Sequence, residues 1–261
     1  MAYQYITTQS LGNAIVLMTI NRPDKCNALN IALMEELSFA FEELYKDSSQ
    51  RVVILAAEGP AFCTGMDLHE VADSTLNEKS AMFVARLFRA IFLSPLVTIA
   101  AVQGDALAGG AGLVAACDIA ISVKEARFGF PETRRGLIAA QVATLLRRQI
   151  RMRDIRELLL VGESIDAQKA LSIGLINRIV EKEQLLIEAS QIANDVLKGA
   201  PAATRETKHL LHSLDSSGFY DESKIALSFH EATRGSDEAK EGLTAFFEKR
   251  QPNWDNISSG K

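Results

Sequence analysis

"IAAVQGDALAGGAGLVAACDIAI", Ile99–Ile121, is the stretch on which the fold turns. A β-branched apolar run, Val97–Val102, leads into it and a second, Asp118–Val123, leads out, with glycines and alanines between them and no nucleophile among them. Short apolar runs bounded by turn residues read as buried strands, so the stretch predicts a strand, a turn, a helix start and a second strand. Two chemistries use a bare backbone at such a passage. Gly110, Gly112 and Ala115 fit the G-x-G-x-x-A spacing of a dinucleotide site, but Glu132, the acid further along, stands in the turn-like "FGFPETRRG" instead of at the end of the next strand. The other is an oxyanion hole, in which N–H groups at a helix start face an oxygen that gains negative charge. Close packing of helix on sheet explains the small residues too. It does not explain a second glycine turn, "GPAFCTGMDL" at Gly59–Leu68, again just after a strand candidate.

Two further strand candidates, Ala14–Ile20 and Val52–Ala57, flank a helical stripe of Leu33, Leu37, Ala40, Phe41 and Leu44 within Leu33–Tyr45. A second helix is predicted over Glu78–Leu93. Near-continuous apolar strands alternating with helices indicate an α/β fold with a mostly parallel sheet covered on both faces. After about Gly136 the pattern becomes mainly helical, with the stripe Leu185, Ala189, Ile192 and Val196 and then a long segment from Tyr220 to Lys249. "KGAPAATRE", Lys198–Glu206, reads as a turn within that layer, and Ser236 before Asp237 and Glu238 reads as a helix cap.

With 261 residues, 48% of them hydrophobic and 23% charged, the chain has the balance of one soluble globular domain. The net charge of −5 argues against nucleic acid as a partner, and no apolar run is long enough for a membrane span. "RRQIRMRDIR", Arg147–Arg156, is the local exception and reads as a solvated or subunit-contacting helix face. "MAYQYITTQS" has neither a secretory nor a transit-peptide pattern, so the expected address is the cytoplasm. Cys26, Cys63 and Cys117 read as reduced, mostly buried thiols, and Asp67 with His69 has no further His or Cys cluster to build a metal site.

The chain resembles the crotonase, or enoyl-CoA hydratase/isomerase, family in six ordered motifs: "NRPDKCNALN" at Asn21–Asn30, "AFCTGMDL" at Ala61–Leu68, Ile99–Ile121 above, "ARFGFPETRRGLI" at Ala126–Ile138, "GESIDAQKALSIGLINRIV" at Gly162–Val180 and "EGLTAFFEKRQPNW" at Glu241–Trp254. The resemblance implies a ββα-spiral core over residues 1–198 and a helical C-terminal trimerisation region over 199–261, assembling as a homotrimer or a hexamer. It implies an acyl-CoA thioester as substrate, with CoA part of that substrate and no separate cofactor. The matching oxyanion-hole positions are Met66 and Gly109, through their amides. The matching CoA contacts are Lys25, Cys26 and Ala28, Asp67 and Leu68, and Phe246 and Lys249, the last two reaching in from a neighbouring subunit.

Hydratases of the family carry two glutamates; Glu132 matches the second, and Gly112 stands at the position of the first. That pattern is closest to a subgroup resembling methylglutaconyl-CoA hydratase. It implies hydration of a short or branched 2-enoyl-CoA, with Δ3,Δ2-enoyl-CoA isomerisation on Glu132 alone, or acyl-CoA binding with little catalysis, as the alternatives. A further departure is "GLIAAQVA", where Ala139 and Ala140 are expected to narrow the pocket wall. Arg134 and Arg135 are placed either to lower the pKa of Glu132, to meet an acidic acyl group, or in solvent.

Overall fold

The computed structural model describes residues 3–47, 49–199, 201–214, 234–250 and 252–253, with Lys224, Leu227 and Glu231 between them. Its strands are β1 (Ile6–Ser10), β2 (Ile15–Ile20), β3 (Val52–Ala57), β4 (Ala61–Cys63), β5 (Val97–Val102), β6 (Asp105–Leu107), β7 (Ile119–Val123), β8 (Arg127–Gly129), β9 (Ser164–Asp166) and β10 (Arg178–Val180). The α-helices are α1 (Ile31–Lys46), α2 (Leu68–Ala72), α3 (Asn77–Phe92), α4 (Gly109–Ala116), α5 (Ala140–Gln149), α6 (Met152–Val161), α7 (Ala167–Ile173), α8 (Leu185–Leu197), α9 (Pro201–Leu214) and α10 (Asp237–Phe247). All four strand candidates of the sequence are present, and they make up most of one six-stranded sheet ordered β1-β2-β3-β5-β7-β10. Only the β1–β2 pair in it is antiparallel. Val52–Leu55 and Ile99–Val102 are buried along their whole length, as parallel strands covered on both faces must be.

A second, four-stranded sheet, β4-β6-β8-β9, has no counterpart in the sequence reading. Its strands are three residues each, too short for a two-residue period to stand out. The spiral comes from alternation between the sheets. Three successive turns of chain lay down one strand in the large sheet, one in the small sheet, and then helix: β3, β4, α2 and α3; β5, β6, α4; β7, β8, α5. Helix α4 is buried at all eight positions and touches β5 of the large sheet as well as β4 and β6 of the small one. Helix α8 covers β3, β5 and β7 with the predicted stripe.

Two expectations change in the C-terminal half. "KGAPAATRE" is only partly a turn, because α9 begins at Pro201, where a missing N–H costs nothing at a helix start. The arginine run does not form one helix face, since α5 ends at Gln149 and α6 begins at Met152. Much of the segment expected from Tyr220 to Lys249 lies outside the described residues, as does Trp254, but Ser236 does cap α10, accepting from the Ala239 N–H at 3.1 Å. No described helix is long and apolar enough to cross a membrane.

Candidate active site

The two glycine turns meet. After β4 the chain passes through Gly65, at φ +94°, and Met66, which forms a bridge to Leu29. A Cβ on Gly65 would stand 2.6 Å from the Ala108 Cβ and 3.1 Å from the Gly109 nitrogen, so only glycine allows this approach. A Cβ on Gly109 would stand 3.8 Å from the Met66 nitrogen. The Leu29 bridge uses the Gly65 carbonyl and the Asp67 N–H, at 2.7 and 2.9 Å, which leaves the Met66 N–H out of the ladder. Gly109 opens α4, whose first N–H groups have no partner within the helix. Among the described residues, neither amide is given to a protein acceptor.

Glu132 completes the trio. It follows β8 by three residues, as Met66 follows β4 by three and Gly109 follows β6 by two. Because β4, β6 and β8 are parallel neighbours in that order, each turn of the spiral delivers one of these residues to the same end of the small sheet. The three line one cleft of about 320 Å³, with Val84, Phe88, Leu107, Leu137, Ile138, Ala139, Ala140 and Val142 among its apolar walls. The Glu132 residue is half-buried, but its Oε2 is sealed from solvent and has no hydrogen-bond partner among the described residues. Burial pushes its pKa up to about 7, while its own backbone N–H and Arg135 pull the other way and lose.

The arginines separate. Arg134 is exposed and pairs with Glu163 at 3.0 Å, whereas Arg135 lines the cleft with its guanidinium 4.9 Å from the centre of the Phe246 ring. The position of the absent acid is filled: a Cβ on Gly112 would stand 2.4 Å from Phe88 Cζ and 2.9 Å from Val142 Cγ2. Adding glutamate there therefore requires Phe88 to move. Cys63 is buried, and burial pushes its thiol up to about 12, so it is inert as a nucleophile.

Of the positions expected at the CoA end, Lys25, Ala28, Asp67, Leu68 and Phe246 line the cleft, while Cys26 and Lys249 do not. Cys26 is an exposed thiol, a departure from the expected burial, and occupies a left-handed turn position with φ 49°. Phe246 enters the cleft of its own chain, because α10 packs on the Thr133–Arg135 turn so closely that a Cβ on Gly242 would stand 2.2 Å from the Arg135 carbonyl carbon. Asp67 is already engaged, its Oδ2 by Arg22 at 2.9 Å and its Oδ1 by the His69 N–H at 3.1 Å.

Sequence reading missed the residues that hold these loops. Asn27 is fully buried; its Oδ1 accepts from the Arg22 N–H, and its Nδ2 donates to the Glu58 and Ala61 carbonyls, each at 2.8 Å. Arg22 also donates to the Ala28 carbonyl at 2.8 Å within the first motif, and its bond to Asp67 ties that motif to the segment after Gly65. Arg234, another lining residue, was missed as well, for it carries no local signal in a helical stretch.

The chain matches the family described as "Enoyl-CoA hydratase/isomerase" over residues 10–257. It is similar to a short-chain-enoyl-CoA hydratase of Clostridium acetobutylicum, 34% identical over 91% of this chain and 92% of that one. It is also similar to a mevalonyl-coenzyme A hydratase of Aspergillus fumigatus, 35% identical over 92% of this chain and 91% of the other. Among solved structures, an enoyl-CoA hydratase/isomerase from Pseudoalteromonas atlantica superposes with a TM-score of 0.87 at 33% identity, covering 96% of this chain and all of its counterpart.

Proposed function

The chain belongs to the enoyl-CoA hydratase/isomerase family, and within it we propose that it adds water to the double bond of a short or branched 2-enoyl-CoA. The observation that carries this reading is one sealed, unpartnered carboxylate oxygen, on Glu132, in the same cleft as two unclaimed amides. The thioester oxygen accepts from the Met66 and Gly109 N–H groups, and the start of α4 adds its positive end. Ionised Glu132 takes a proton from water as the water oxygen bonds to C3. The π electrons move to the thioester oxygen as an enolate. Glu132 then returns the proton to C2, completing addition of H and OH across the bond.

A pKa of about 7 supports this use of one group twice, because both protonation states are populated near neutral pH. Removal of one oxyanion donor costs about 2.7–4 kcal/mol in other enzymes, so the amides are expected to matter as much as the acid. Lys25, Ala28, Leu68 and Phe246 are the groups proposed to hold CoA. Exposed Leu160, Leu210 and Leu211 support self-association, for which a trimer or hexamer is the proposed form.

A second reading, Δ3,Δ2-enoyl-CoA isomerisation, is favoured by the carbon around Gly112. Phe88 and Val142 leave no place there for an acid to hold water, and proton transfer from C2 to C4 needs only Glu132. Absorbance of the conjugated enoyl thioester separates the two. Crotonyl-CoA should lose it with time under hydration; a 3-enoyl-CoA should gain it under isomerisation. Tight binding with neither change would remove both readings.

A further inference from the structure

Arg234 sits where an arginine is costly. It is 5% exposed and lines the cleft with Val84 and Phe88. Its Nη1 donates to the Asn77 carbonyl at 3.1 Å and to Ser80 Oγ, both in the first turn of α3. Among the described residues its Nε has no partner and no carboxylate forms an ion pair with it. Burial pushes its pKa down to about 10, with only Glu70 opposing through space. A guanidinium has five donors in a planar fork, and a buried charge held by two neutral acceptors is under-compensated.

The position along the cleft gives that unmet charge a direction. Ser80, Val84 and Phe88 recur at four-residue steps on α3, so they form one stripe along the helix. At one end of the stripe Phe88 abuts Gly112 in α4, the helix that begins with the Gly109 amide. At the other end, beside Ser80, is the Arg234 guanidinium. An acyl group that leaves the Met66 and Gly109 amides and follows this apolar stripe ends at a cation.

We infer that the cleft takes an acyl-CoA whose acyl group ends in a carboxylate, and that Arg234 binds that carboxylate. The inference rests on the acyl-CoA reading above and narrows its substrate class. A carboxylate accepts two parallel hydrogen bonds from a guanidinium edge, the recognition that arginine supplies and lysine does not. The other lining arginine, Arg135, already stacks on Phe246 and faces Glu132, which would repel a second anion.

The test is calorimetric binding of saturated, non-reacting thioesters in matched pairs: glutaryl-CoA against 5-methylhexanoyl-CoA, and adipyl-CoA against 6-methylheptanoyl-CoA. In each pair two methyl groups replace two carboxylate oxygens. The wild-type protein should bind at least one carboxylate member about tenfold or more tightly than its neutral partner. Arg234→Met should abolish the preference while retaining the neutral ligand, and Arg234→Lys, the variant to rely on if Arg234→Met does not fold, should weaken it. Equal affinity within both pairs, or a preference that survives in these variants and vanishes in Arg135→Met, overturns the inference and leaves the acyl-CoA reading standing. Failure of all four thioesters to bind overturns both.

Discussion

Two carboxylates on either side of β7 and β8 make opposite use of burial. Asp118, just after α4, is surrounded by donors: its Oδ2 accepts from the Thr98 N–H at 2.8 Å, the Thr98 hydroxyl at 2.9 Å and Lys208 Nζ at 2.7 Å. Lys208, buried and also bound to the Leu96 carbonyl at 2.8 Å, thereby fastens α9 to the large sheet. Glu132 faces a cleft with mostly apolar walls, and among the described residues its Oε2 accepts from nothing. A carboxylate held by donors serves as a joint, whereas Glu132, left among mostly apolar walls, exchanges its proton near neutral pH. The contrast predicts that one acid supports the fold and the other opposes it.

The largest effect is expected from Glu132→Gln, which keeps the shape and removes the exchangeable proton. Turnover should fall about 10²–10⁴-fold with the fold intact, and unchanged turnover would take Glu132 out of the mechanism. In the wild type, kcat/KM should rise with pH through about 7 as the carboxylate ionises, and that limb should vanish in the variant. Asp118→Asn should do the reverse. Leaving Lys208 without its anion should lower stability by about 2–4 kcal/mol in chemical denaturation, with kcat unchanged. If turnover falls instead, the division between joint and catalyst is wrong.

Gly112→Ala probes why Glu132 stands alone. Its methyl overlaps Phe88 and Val142, so a loss of about 1–3 kcal/mol is expected, restored in part by Phe88→Leu. An additive double variant would show that the ring is not the obstacle. The smallest effect sharpens the comparison most. Because the folded-state pKa of Glu132 lies above its ordinary value of 4.5, folded protein holds a proton that unfolded protein releases between about pH 4.5 and 7. The contribution of this group is therefore present at low pH and lost as pH rises through about 7. Glu132→Gln should be more stable than wild type at pH 8 by about 1–2 kcal/mol and should lose the difference near pH 4, as melting across that range would reveal.

Much of this architecture is legible locally. The β-branched runs that become β2, β3, β5 and β7 carry enough consecutive apolar residues to announce burial on two faces, and α1, α3 and α8 carry their stripes. The two glycine turns are equally visible, because a missing side chain is a fact of composition, whereas the lone acid was legible only through the resemblance to the family. The small sheet was not visible, since three residues do not make a period. Nor was the destination of Phe246, which depends on how tightly Gly242 lets α10 approach the Arg135 backbone. Arg234 and Asn27 gave no local sign, because what distinguishes them is the partners that surround them.

Residue order alone determined an α/β chain with glycine at two turns, and its resemblance to the family singled out the acid between Pro131 and Thr133. Only the tertiary structure brought Met66, Gly109 and Glu132 to one cleft and left Glu132 Oε2 without a hydrogen-bond partner among the described residues. The reason is that periodicity reports the faces of one element, whereas convergence depends on the order in which β4, β6 and β8 pair, and a carboxylate's proton affinity on groups far away in the chain.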